Sequence, residues 1–228
     1  MIIIGVLMKY RYELKFFMNI HTSDVLKHRL RSVMIPDSHS GGTYTVNNLY
    51  LDDIYDTCYN DKVLSSYIRD KYRVRFYNND LSFIRFENKH KEGDVSYKDS
   101  VVMTEEEYKD IAGGNFDFIL RSEHPLWQKT ASLHRLRILR PAVAFSYTRE
   151  AYVYSPGDVR ITFDSNIRSG SLIPEPYGGA PPGAGGMLEV KYSRLLPGVI
   201  KEMLDGLPLI QTAMSKYCYS RDRGFSYC

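Results

Sequence analysis

Polar and apolar residues alternate with period two along most of this chain. The alternation predicts strands over 9–17, 43–52, 70–78, 81–91, 94–103, 142–154, 158–165 and 186–193. Asn78-Asn79 and Glu92-Gly93 separate consecutive runs and predict tight hairpin turns. Helical patterns are fewer. Ser23 or Asp24 caps a helix that stops before Pro36. Thr104 and Glu107 form a capping box, and residues 124–138 read as a helix with Pro125 in its first turn. Pro197 opens another helix that Gly206-Leu207-Pro208 ends, and 57–67 is an ambiguous short helix. The Gly- and Pro-rich stretch 169–186 reads as a loop rather than a linker, because strand-like sequence resumes directly after it. Eight strands and few helices predict a single α+β domain over residues 1–228, built on an antiparallel barrel.

Composition excludes several classes. With 43% hydrophobic and 25% charged residues, the chain is neither disordered nor collagen-like. The 19 Tyr and 10 Phe favour strands. Three cysteines, Cys58, Cys218 and Cys228, lack metal-ligand spacing and point to a reducing, cytoplasmic location. No run reaches the ~18–20 apolar residues of a membrane span. The short apolar run Met1–Leu7 reads as a strand-like lead-in rather than a signal peptide. The six histidines (His21, His28, His39, His90, His124, His134) are scattered and read as surface or packing residues.

Charge changes the picture once it is placed on strand faces, where residues i and i+2 point the same way. Arg11, Lys15, Arg73, Arg75, Arg85, Lys89, Lys91, Lys98, Arg149, Arg160 and Lys191 fall on polar faces, against Glu13, Asp52, Glu87, Asp164 and Glu189. The whole chain carries a net charge of only +3, so the basic excess is concentrated on these faces. A solvated outer face explains any single pair. It explains the set less well, because wet faces mix signs and Arg suits bidentate phosphate contacts. If helices cover the apolar faces, the polar faces line a tunnel whose cations repel unless a long anion fills it.

The ordered set Glu13-x-Lys15, Tyr72-Arg73-x-Arg75, Glu87-x-Lys89, Tyr147-x-Arg149, Arg160-Ile161-Thr162-x-Asp164, Leu188-Glu189-Val190-Lys191 and Ser215-Lys216-Tyr217 resembles the VTC-type polyphosphate polymerase domain. That domain belongs to the triphosphate tunnel metalloenzyme, or CYTH-like, superfamily. The resemblance covers about Tyr10 to Tyr219. It implies an eight-stranded antiparallel tunnel with a basic interior and peripheral helices. It implies Lys15, Arg73, Arg75, Lys89, Lys98, Arg149, Arg160 and Lys216 as phosphate ligands, and Glu189 as the holder of Mn²⁺ or Mg²⁺. Arg85, Lys91 and Lys191 join the phosphate set by their strand faces, and Glu13 and Glu87 are lesser metal candidates. The superfamily's hydrolases carry E-x-E-x-K in the first strand, where this chain has Arg11.

The implied activity is ATP-dependent polyphosphate synthesis, transferring the γ-phosphoryl group of ATP or another nucleoside triphosphate onto a growing chain. Phosphoryl transfer asks for positioning and charge neutralisation. A terminal phosphate acceptor is already an oxyanion and needs no general base, whereas a hydrolase must activate water. The alternatives are a triphosphatase in the same tunnel and a non-catalytic polyphosphate-binding module. Rings alternate mostly to the other face, which disfavours nucleic acid as a partner. Any export of product needs a separate membrane partner.

Overall fold

A computed structural model describes residues 12–37, 42–93, 95–169 and 186–222. In chain order the elements are β1 (Tyr12–Met18), α1 (Ile20–Leu30), β2 (Ile35–Pro36), β3 (Thr43–Asp52), α2 (Thr57–Val63), β4 (Ile68–Tyr77), β5 (Asp80–Glu92), β6 (Val95–Met103), α3 (Glu105–Ala112), a 3₁₀ turn (Ile119–Arg121), α4 (Pro125–Arg137), β7 (Arg140–Tyr154), β8 (Val159–Ser169), β9 (Gly186–Tyr192), α5 (Gly198–Leu204), β10 (Ile210–Gln211) and α6 (Lys216–Asp222). Met1–Leu7, Arg11, His39, the loop residues 170–185 and Cys228 lie outside the described residues. Among those described, no helix is long and apolar enough to cross a membrane.

All eight expected strands form, and the fold is α+β with antiparallel pairing at every register resolved. The strand count is a correction. Two further strands, β2 and β10, are two residues each. Neighbouring strands follow the path β10-β1-β9-β8-β7-β3-β4-β5-β6, with β2 on β7. The path is open among the described residues, so they do not make a closed eight-stranded barrel. Two-residue strands are too short to leave a periodic signal, which is why alternation missed them.

Local chemistry explains the turns and caps. Asn78 and Asn79 take left-handed φ of 53° and 57°, the conformation an asparagine pair tolerates in a two-residue hairpin. Asn78 also accepts the Thr45 N–H at 3.0 Å. Thr104 and Glu107 close the capping box in both directions, at 2.8 and 3.2 Å. Helix α1 starts earlier than expected: Asn19, not Ser23 or Asp24, is the cap, accepting the Thr22 N–H at 2.8 Å.

The chain divides into two compact units. The first holds 12–37, 42–44, 149–165 and 186–213. Its apolar strand face (Leu14, Phe16, Ile161, Phe163, Leu188, Val190) packs with Leu26 and Leu30 of α1 and Ile200 of α5. The second holds 45–93, 95–148, 166–169 and 214–222. There Phe76 meets Tyr108 of α3 at 5.4 Å between ring centres, and Phe86 meets Trp127 of α4 at 4.4 Å. Helices therefore bury the apolar face of the strands in each unit. The opposite, polar faces are left to carry the chemistry.

Candidate functional site

In the second unit, the register of β3 to β6 aligns the polar side chains in rows. Asn48 faces Arg75, which faces Arg85; Tyr50 faces Arg73, which faces Glu87 and then Ser100. The next row sets Lys71 opposite Lys89 and Lys89 opposite Lys98, and beyond it Arg69 faces Lys91. Like charges directly opposite each other on antiparallel strands are destabilising. Here they recur in three rows: Arg75–Arg85, Lys71–Lys89–Lys98 and Arg69–Lys91.

One carboxylate sits inside this field. Glu87 is 2% exposed. Its Oε2 accepts from Arg73 Nε at 2.7 Å and its Oε1 from Lys98 Nζ at 2.8 Å. Burial alone would raise its pKa, but Arg73, Arg75 and Lys98 outweigh burial and hold it at about 2. Arg73 also donates to the Tyr50 hydroxyl at 2.9 Å, and Arg75 donates to Asn48 Oδ1 at 3.0 Å. Burial likewise opposes ionisation of Tyr50, yet the charges of Arg73, Lys71 and Arg75 lower its pKa to about 8. The positive charge of Arg73, Lys71 and Arg75 around this buried phenol is the cause of the lowering.

Helix α6 joins the same unit through Asp52. This carboxylate is fully buried. It accepts the N–H groups of Asp53, Cys58 and Tyr59 at 2.8–3.0 Å, and the Tyr217 hydroxyl at 2.5 Å. Two of its contacts, Cys58 and Tyr59, come from the first turn of α2, and Tyr217 lies on α6, so Asp52 ties both helices to the end of β3. Tyr217 then stacks on Tyr50 at 4.9 Å, and Tyr50 on Phe145 at 5.5 Å. Cations flank the stack: Lys71 lies 5.7 Å from the Tyr217 ring, Arg73 5.8 Å from Tyr50, and Lys216 5.1 Å from Tyr147. Lys71 donates to Ser215 Oγ at 2.8 Å. Four rings thus stand on the polar side, but they are buried and offer no open platform for a base.

The first unit's polar face is built differently. Glu13 faces Lys191, which faces Arg160; Lys15 faces Glu189, which faces Thr162. Arg149 makes a bidentate pair with the fully buried Asp164, Nε to Oδ1 at 2.6 Å and Nη2 to Oδ2 at 2.7 Å. Arg160 Nη2 meets Asp37 at 2.7 Å. Lys15 lies 3.4 Å from Glu13, and Lys191 lies 3.2 Å from Glu189 and 4.0 Å from Glu13. Glu13 and Glu189 therefore gather around one ammonium. Among the described residues no group of three or more His, Cys, Asp or Glu could hold a metal by itself.

The residues singled out from the sequence fall into these two sets. Arg73, Arg75, Arg85, Lys89, Lys91, Lys98, Lys216 and Glu87 lie in the second unit; Glu13, Lys15, Arg149, Arg160, Glu189 and Lys191 lie in the first. Sequence reading missed Lys71 and Arg69, which share the Arg73 face at i−2 and i−4. Lys71 lay inside the expected 70–78 strand and was passed over, whereas Arg69 needed the strand to begin at Ile68. Arg149 was read as a phosphate ligand without its partner, although Asp164 stood on the next strand's polar face. Of the described histidines, His21 and His28 are exposed on α1, and the other three have packing, pairing or capping contacts. His90 lies 3.0 Å from Asp70, His124 Nδ1 accepts the Leu126 N–H at 3.2 Å, and His134 stacks on Phe116 at 4.5 Å.

Comparison with protein families gives a match to the VTC domain over residues 10–223. Comparison with curated proteins gives no match. Among solved structures, the chain is similar to an adenylyl cyclase candidate from Hippeastrum with a dominant triphosphatase activity. The TM-score is 0.58 and identity 15%, covering 92% of this chain and 95% of that one. It is also similar to an adenylate cyclase candidate from Bacillus halodurans, with TM-score 0.51, 12% identity and 86% of each chain covered. A Pyrococcus horikoshii OT3 protein matches at TM-score 0.50 and 13% identity, over 94% of this chain and 99% of that one. At these identities the likeness is one of fold.

Proposed function

The chain belongs to the VTC domain family, and we propose on that footing that it is a polyphosphate polymerase. It transfers the γ-phosphoryl group of ATP, or another nucleoside triphosphate, onto the end of a phosphate chain. The observation that carries this reading is the set of like-charge rows on β4, β5 and β6, with Glu87 among them already held by Arg73 and Lys98. Such rows cost stability in the free protein, and a polyanion reverses the sign of that cost. A chain of phosphates matches cations spaced along strands, where a single carboxylate or phosphate does not. The single-domain reading of residues 1–228, the basic channel implied by the family resemblance, and the cytoplasmic location belong to the same proposal.

In the reaction, a terminal oxygen of the acceptor chain forms a bond to the γ-phosphorus as the bond from that phosphorus to the bridging oxygen breaks. The diphosphate leaves with the electron pair. Arg73, Arg75, Lys89, Lys98 and Lys216 bind phosphate oxygens in the second unit, with Arg85 and Lys91 further along its strands. Lys15, Arg149, Arg160 and Lys191 do so in the first. Their fixed charges stabilise charge gathering on the leaving group. No proton has to be removed from the acceptor, so no general base is assigned. Glu87 and Asp164 are held by arginine and suit orientation better than water activation.

The donor set fits a divalent ion of the Mg²⁺ or Mn²⁺ kind. Such ions take one or two carboxylates and complete their shell with phosphate oxygens and water. Glu189 and Glu13, both near Lys191, would hold it. Bound there, it supplies neutralisation of phosphate charge. Glu87 fits less well, since each of its oxygens already meets a cation.

The test is incubation of the protein with ATP and Mn²⁺, followed by gel and phosphate analysis. Long phosphate chains support the reading. Orthophosphate without chains replaces it with a triphosphatase, the activity of the Hippeastrum protein of similar fold. Tight binding without turnover leaves a polyphosphate-binding module.

A further inference from the structure

We propose that Thr162 Oγ1 and Arg160 Nε together form a contact for one phosphoryl oxygen group of the bound phosphate chain, an assignment that rests on the triphosphate reading above. Thr162 lies mid-strand on β8, opposite Glu189 and two residues from both Arg160 and Asp164. It is 1% exposed, and its hydroxyl has no hydrogen-bond partner among the described residues. A buried hydroxyl without a partner is a loss that an isosteric valine would avoid. Arg160 Nε is in the same condition, although Nη2 of the same guanidinium reaches Asp37 at 2.7 Å and the Tyr44 hydroxyl at 3.4 Å.

The two residues share a strand face, their Cα atoms about 6.5 Å apart along the strand. Arg160 Nε can only donate, so the missing partner is an acceptor. A cation is thereby excluded at Nε, and a hydroxyl beside it donates to the same kind of group. Lys15 and Lys191, on the strands next in register, add positive charge to the same face. The Arg160 side chain is 34% exposed, which gives a ligand a way in. An oxyanion with several acceptor oxygens, which is what a phosphoryl group presents, satisfies both donors. ATP and an inorganic phosphate chain offer this chemistry equally.

The test compares the wild-type chain with Thr162→Val, Thr162→Ser and Arg160→Lys, titrated calorimetrically with inorganic triphosphate and separately with ATP. Melting temperatures are measured without ligand. Thr162→Val is expected to melt at or above the wild-type temperature, because no internal bond is lost. Its affinity is expected to fall about tenfold for both ligands, the scale of one charge-assisted hydrogen bond. Thr162→Ser should restore binding to within about twofold, since it keeps the hydroxyl. Arg160→Lys, which keeps the charge but loses Nε, should weaken binding as Thr162→Val does. Wild-type affinity in Thr162→Val overturns the inference alone. So does a markedly lower melting temperature without ligand, which reveals an internal partner. A loss confined to ATP, with inorganic triphosphate bound as by wild type, also overturns it, because the contact is then not to the phosphate chain. Failure of the wild-type chain to bind either ligand overturns this inference and the proposed function together.

Discussion

On the polar face around β1, β8 and β9, four cations each meet a carboxylate: Lys15 with Glu13, Lys191 with Glu189, Arg149 with Asp164 and Arg160 with Asp37. On the polar face of β4 and β5, Arg75 turns to an asparagine and Lys71 to a serine, while Arg73 and Lys98 share the single carboxylate of Glu87. Both faces arise from the same alternation, and both are backed by helices on the apolar side. They differ in what neutralises them. A face that supplies its own counter-charges is held in place by them. On the function proposed above, the like-charge rows of the second face are where a phosphate chain adds the balancing charge. Tyr50, whose pKa the local cations lower to about 8, reports that imbalance from inside the second face.

The comparison is broken most severely at its tightest pair. Asp164→Asn leaves the Arg149 guanidinium largely buried beside a neutral amide, and stability should fall by ~3–5 kcal/mol, read from denaturant unfolding. A loss under ~1 kcal/mol, the range of surface pairs, would show that the first face is not internally held.

Glu87 gives the next effect, through pH. Its folded pKa of about 2 lies below the ordinary 4.5. The sign follows from the depression: its contribution is fully present above pH ~4.5 and is lost as pH falls toward 2. The loss amounts to about 3 kcal/mol. Unfolding followed across that window should show it, and Glu87→Gln should flatten the slope. An unchanged slope in Glu87→Gln would show that the Glu87 ion cluster does not set the acid stability.

How much of this was legible in the sequence follows from the length over which each signal acts. Period-two alternation placed the eight long strands and the charged face of β4, because each residue needed only its neighbours. The hairpin turns were readable for the same reason: Asn78-Asn79 and Gly93 carry the left-handed φ values that such turns require. Helix α6 was not readable. It has seven residues, and it is anchored by Tyr217 reaching Asp52 across 165 positions of sequence. The Arg149–Asp164 pair was half readable: both residues stood on predicted polar faces, but which acid meets which base depends on strand register. The orphan hydroxyl of Thr162 could not be read at all, since a missing partner exists only in three dimensions.

Binding separates the two faces at a smaller scale. Arg73→Ala should weaken inorganic triphosphate binding by about 100-fold, the upper range for a lost charged hydrogen-bond group. Lys15→Ala, on the internally paired face, should cost about tenfold or less. Equal losses in calorimetry would erase the distinction. The smallest expected effect belongs to Tyr50. As pH rises through about 8 its phenol ionises and neutralises part of the charge on Arg73, so triphosphate affinity should decline. The decline is at most about tenfold per pH unit, and Tyr50→Phe should remove it.

Uptake of inorganic triphosphate by the cationic rows of β4 and β5 is followed by calorimetry in wild-type protein and in the double variant Arg73→Ala, Arg75→Ala. Salt-sensitive binding is expected in the wild type and its abolition in the double variant, with the variant still folded by circular dichroism. Binding of equal strength in the two proteins, or none in either, would contradict phosphate-chain binding at these rows.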